Sequence, residues 1–173
     1  MERVVAFVVV AAAGLILLAD MMGAFERGVA DTKEAQADAL IAQLRAAVVS
    51  VYSRQADLGD NADLVPNLVD LKKVPENALN ADGDGILHPY GGEVTILGND
   101  ERFAITLADM DDDQCGRAAA KMVGGTGVVD IEVADAAPDE VNDDEQDEDL
   151  TVDTVIDACA EGGGANFLTI TFR

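Results

Sequence analysis

Sixteen consecutive residues, Val4 to Ala19, carry no charge: VVAFVVVAAAGLILLA. No water-exposed surface can hold such a run, so it must end in a bilayer or against other apolar helices. A spanning helix wants about 20 apolar residues. The run continues past Asp20 through Met21, Met22, Gly23, Ala24 and Phe25. Three fates compete. One is a cleaved secretory signal, with Arg3 as its basic flank and a small-residue cleavage site near Ala24. Another is a permanent membrane anchor. The third, and the expectation here, is a helix that leaves the bilayer and packs against copies of itself.

The next segment, Phe25 to Gln55, is rich in Ala, Leu, Gln, Glu and Arg and holds no proline. Ala37, Leu40, Ile41, Leu44, Ala47, Val48 and Val51 recur at the three-and-four spacing of one buried helical face. Lys33, Asp38, Gln43 and Arg45 fall opposite. The spacing predicts one nearly continuous helix from Glu2 to Gln55, about 80 Å long. Gly23 and Gly28 make Asp20–Gly28 a weak spot, so two helices with a break there are the alternative. The expected organisation is an apolar half, 1–25, and a globular head, 26–173, which includes the amphipathic half.

Beyond Gln55 the texture changes. Leu64, Leu68 and Leu71 suggest a short helix. Asn80 to Gly92, NADGDGILHPYGG, is turn chemistry. EVTIL and RFAITL alternate as strands, with Gly98-Asn99-Asp100 as their hairpin turn. Asp111 to Val123 reads as a helix with an acidic start, ended by GGTG. VVDIEV forms a third strand, Thr151–Ala160 a second short helix, and Asn166–Phe172 a last strand. The fold class is α+β: a long N-terminal helix packed on an antiparallel sheet of about four strands.

Charge excludes whole function classes. Asp and Glu number 34 against 11 Lys and Arg, a formal charge of −23 over 173 residues. Such a field repels phosphate backbones and excludes nucleic acid as a partner. One His and two Cys cannot supply a Cys/His zinc site unaided. GGTG and EGGG are helix stops, because neither follows a strand and opens a helix. No nucleophile motif or dinucleotide fingerprint occurs. The remaining enzyme reading, a metal-assisted hydrolase on the acidic loops, ranks last, since a catalytic metal needs a concave, ordered site.

Three features stay open at this level. Cys115 and Cys159 fall on the two short helices, and pair in an oxidising compartment or stay as buried thiols in a reducing one. Pro138–Asp149 holds eight carboxylates and no base. It reads as a solvated, self-repelling loop or as a cation-binding surface. Asn80, Asp82 and Asp84, followed by Gly85, match the first half of a calcium loop, but the distal acid is missing, so an Asx-rich turn competes. His88, before Pro89, is expected in a turn or on the surface and not as a ligand.

The order of these parts resembles the type IV pilins, and most nearly the type IVb subclass of bundle-forming, toxin-coregulated and conjugative thin-pilus major pilins. The stretches that carry the likeness are GLILLA, RGVADTKEAQADALIAQLRAAVVSVY, the VP of Lys73–Glu76, HPYGGEVTI, FAITLADMDDDQC and DACAEGGGANFLTITF. The resemblance implies a non-catalytic subunit without cofactor that polymerises into an extracellular helical filament of identical copies. It implies residence in the inner membrane before assembly, and handling by the pilus assembly machinery. It implies a Cys115–Cys159 disulfide. It places Val4, Val5, Phe7, Val8, Val10, Ala11, Gly14, Leu15, Leu18 and Met22 in the filament core. A membrane-anchored pseudopilin or surface binding domain of a secretion system is the alternative. Two departures stand out. Pilins carry a Glu a few residues into the mature apolar segment, where this chain has Val4, Val5 and Ala6, so Glu2 inherits that charge pairing or neutralisation works differently. No basic leader precedes Met1, so Met1 is either a processed terminus or an ordinary initiator.

Overall fold

The amphipathic face read from residues 37–51 is the inner face of a helix. In the computed structural model, which describes residues 31–53, 58–138, 141 and 151–173, α1 spans 31–52. Ala37, Leu40, Ile41, Leu44, Ala47 and Val48 are buried, and Tyr52 closes the face. Val51 packs partly buried against the same core. The opposite side is less solvated than its charges suggest. Asp38 and Arg45 are half-buried because both reach back to the head.

The remaining elements follow in chain order: β1 (Ala62–Asp63), α2 (Val65–Asp70), a 3-10 turn (Glu76–Ala78), β2 (Ile86–Leu87), β3 (Glu93–Asn99), β4 (Arg102–Met110), α3 (Asp112–Met122), β5 (Val128–Ala134), α4 (Val152–Glu161) and β6 (Asn166–Phe172). The sheet order is β1-β3-β4-β6-β5, with β2 also paired to β3. All pairings are antiparallel. Among the described residues, four long strands make the sheet, and two two-residue strands finish one edge.

Alternation sets the register. Ile96, Ile105, Ile170 and Ile131 stand in one row across β3, β4, β6 and β5. Val94, Leu107, Leu168 and Val133 form the next row. These rows and α1 share one core, and a one-residue slip would turn every member to the other face. Each fully buried Leu or Ile contributes about 1.5–3 kcal/mol. The opposite face carries Thr95, Thr106, Thr169 and Glu132 in a row, and the buried Thr106 and Thr169 hydroxyls bond at 3.0 Å.

Local chemistry sets the ends. Asp111 accepts from the Gln114 N–H while Gln114 accepts from the Asp111 N–H, a reciprocal cap at the start of α3. Thr151 and Thr154 do the same for α4. The β3–β4 turn differs from the sequence reading. β3 runs on through Gly98 and Asn99, Asn99 faces Arg102, and the turn is Asp100-Glu101 with Asp100 at φ 50°. Gly98 is held in the strand by packing: a side chain there would press on Leu58 and Leu64.

The apolar run, with Glu2, Val4, Val5, Phe7, Val8, Val10, Ala11, Gly14, Leu15, Leu18 and Met22, lies outside the described residues, as do the Asp20–Gly28 weak spot and most of the acidic run. Among the described residues, no helix is long and apolar enough to cross a membrane.

Candidate assembly surface

Two links tie α1 to the rest of the head, one to α3 and one to Phe172 of β6. Glu34 and Asp38 stand one turn apart on α1, and Arg117 and Lys121 one turn apart on α3. Lys121 Nζ lies 2.5 Å from Glu34 Oε1 and 2.7 Å from Asp38 Oδ2. Arg117 joins Asp113 at 2.7 Å and Glu34 at 3.6 Å. The hydrogen bond from Lys121 holds the Glu34 carboxyl below its ordinary range, and bonds to Asp38 and Glu34 push the ammonium up. Both bases are half-exposed, so solvent screens these pairs to about 0–1 kcal/mol each. The other link is Arg45, whose guanidinium lies 5.2 Å from the centre of the Phe172 ring.

Cys115 and Cys159 form a disulfide, with Cα atoms 5.8 Å apart. It joins α3 to α4, as the resemblance implied. α1, α3 and α4 are therefore linked in series by ion pairs and one covalent bond.

Arg117 and Lys121 are the only bases between Ala104 and Phe172, and both are engaged by α1 or by Asp113. Neither is spare to neutralise Pro138–Asp149. Val141, inside that run, is the one residue of 139–150 described. It is buried, and its N–H donates to Asn61 Oδ1 at 2.9 Å. Asn61 immediately precedes β1, the edge strand farthest from β5. Seven residues beyond β5, the chain is thus anchored at the opposite edge.

The groove between α1 and the 86–91 turn has a volume of about 460 Å³. Gln36, Leu40 and Gln43 face Leu87 and His88 across it, and among the described residues that line it none is Asp, Glu, Lys or Arg. That neutrality is notable on a chain of charge −23. Apolar side chains also stand out at Leu71 and Leu87, and on α4 at Val152 and Ile156.

Asn80, Asp82 and Asp84 sit in an exposed turn. Asn80 Oδ1 accepts from the N–H groups of Gly83 and Asp84, and its Nδ2 donates to Asp84 Oδ1 at 2.9 Å. The Asn80 amide is thereby spent on its own loop. Among the described residues, no group of three or more His, Cys, Asp or Glu is placed to hold a metal ion.

The His88 expectation is corrected in one respect. The residue is in a turn, but it is 2% exposed, because its ring tucks beneath the turn against β4. The ion-pair clasp was not read from sequence. Its signal was there: two acids at i,i+4 on the long helix, and the only two bases of a 69-residue stretch, also at i,i+4.

No family profile and no curated relative matches the sequence. Solved structures do. TcpA, a type IV pilin from Vibrio cholerae El Tor biotype, is similar at TM-score 0.58 and 17% identity, covering 82% of this chain and 99% of that one. The type IVb pilin from Salmonella typhi is similar at TM-score 0.54 and 12% identity, covering 76% and 93%. The chain has the type IV pilin fold.

Proposed function

We propose, on the premise of that fold, that this chain is a structural subunit of a type IV pilus and polymerises through its apolar N-terminal run. The observation that carries the reading is a continuity. The sixteen-residue uncharged run leads, within a dozen residues, into a helix that is buried on one face of a disulfide-linked α+β head. A run apolar all round finds its lowest free energy among like helices or in lipid. Val4–Met22 then builds the filament core from identical copies. The subunit waits in the inner membrane, the assembly machinery extracts it, and the pilus stands on the cell surface. Its role is mechanical, with no catalytic step. The acidic run faces outward, since eight carboxylates cannot be desolvated without partners the chain lacks.

Deletion of Met1–Phe25 tests this. The expected product is a soluble monomer by sedimentation, with the disulfide intact. Filaments formed by the truncated chain would remove the run from assembly. Full-length protein that stays singly anchored in membranes would favour the pseudopilin reading.

A further inference from the structure

β4 carries an irregularity with a chemical use. Its register with β6 skips between Leu107 and Met110, and Asp109 there takes φ 55°. Ala108 has no partner in that register. Its carbonyl oxygen lies 2.7 Å from His88 Nε2. A carbonyl only accepts, so Nε2 carries the proton and Nδ1 is bare. The His88 N–H donates to the Gly92 carbonyl, and the Gly91 N–H donates to that of His88, closing a turn around the ring. Gly92 lies so near that a side chain on it would collide with the Ala108 oxygen and His88 Nε2. The turn is pinned to β4 by one side-chain bond.

Among the described residues, Nδ1 is buried with no partner. A proton there would leave a buried imidazolium whose second N–H has no acceptor. Among the described residues, the groups around it are these. Tyr90, in the same turn, presents its ring edge with centroids 5.8 Å apart. Asp109 of β4 favours the cation, as does the bond to Ala108, but burial outweighs both and holds the imidazole below its usual 6.5. Glu93 of β3, beside Gly92, is exposed. α1 offers Gln36, Leu40 and Gln43 along the shared groove, and the 75–79 segment offers Asn77, all uncharged. Glu34, Asp38, Arg117 and Lys121 act on Tyr90.

We propose that His88 is a proton-operated latch: the neutral ring pins the 88–92 turn to the β4 irregularity, and a proton taken up at Nδ1 frees that turn and the groove wall it forms. The device works on the single head and does not depend on filament formation. It makes the uncharged face beside α1 responsive to mild acid.

The chain has one histidine, so its ring signals are single. Full-length protein in detergent micelles, labelled with ¹⁵N-histidine, is titrated from pH 8 to 4.5 by NMR, alongside amide exchange. The expected result is one tautomer with the proton on Nε2 and a midpoint below 6.5. In step with it, exchange at the Gly91 amide should accelerate at least tenfold, while Ile105 and Ile170 stay protected. His88→Gln, which can still donate to Ala108 but cannot titrate, should abolish the Gly91 step. Mixed tautomers, an ordinary midpoint, a Gly91 step that survives in H88Q, or Ile105 and Ile170 opening at the same midpoint would each overturn the latch. The wild-type titration decides the matter even if H88Q does not fold.

Discussion

Replacing both Cys115 and Cys159 with Ala removes the disulfide that cross-links α3 to α4. The two positions are 44 residues apart. In the chain-entropy account, cross-linking a loop of that size takes about 13 cal/mol/K from the unfolded chain, or about 4 kcal/mol at 25 °C. The enclosed segment strengthens the dependence. It contains β5 and the eight-carboxylate run, whose self-repulsion favours expansion once the loop is opened. For 173 residues, the unfolding entropy is about 360 cal/mol/K near the midpoint, so the loss corresponds to about 11 °C in Tm. Circular dichroism melts of wild type, wild type with reductant, and the double variant measure this. Wild type should melt highest, and the other two should fall together. Single Cys159→Ser should also lower folded yield, because it leaves a buried hydroxyl and an unpaired thiol. A shift under about 3 °C, or two freely alkylated thiols in the native protein by intact mass, would refute the argument.

Lys121→Ala should cost about 0.5–1 kcal/mol at low salt and almost nothing at 1 M NaCl, because the pairs it breaks are half-exposed. The Glu34 contribution to that clasp has a pH signature. Its folded value is depressed below 4.5, so its stabilisation is complete above that pH and is lost as pH falls through the folded value. Urea melts from pH 7 to 3 check this, with Glu34→Gln as the reference, since only the difference between the two profiles reports the Glu34 contribution. Gly92→Ala should destabilise by about 2–4 kcal/mol, since its methyl would meet backbone oxygen and not a yielding side-chain tip; a neutral result would mean that the turn is not seated on β4. Filaments should shorten at low ionic strength and lengthen with NaCl or CaCl₂. Changing Asp143, Asp144, Glu145, Asp147, Glu148 and Asp149 to Asn or Gln should erase that dependence in length measurements, and identical curves for the two proteins would make the run a passive decoration.

Periodicity made most of the fold legible. The 37–51 stripe, the strand alternations and the starts of α3 and α4 depend on neighbours in sequence, and the structure has these elements where they were read, with β4 running three residues past Leu107 to Met110. The β3–β4 turn was misread because glycine usually marks a turn, whereas Gly98 answers to packing by Leu58 and Leu64 from a distant segment. The same limit applies to the candidate surface. Asp38 and Arg45 looked solvated because their partners lie far off at Lys121 and Phe172. His88 was read as a turn or surface residue, and its burial within the turn was illegible because the carbonyl it serves belongs to an irregularity 20 residues away. Two cysteines in an exported chain already favoured the pair and family resemblance strengthened it, although spacing alone does not bring two helices together.

The central claim is that identical copies assemble through the apolar run. Electron cryomicroscopy of material sheared from cells that express the full chain tests it most directly. The account predicts thin helical filaments with Val4–Met22 bundled along the axis and the α+β heads outside. Cells that display the protein at their surface as dispersed, membrane-anchored monomers, with no filament in the sheared fraction, would contradict it.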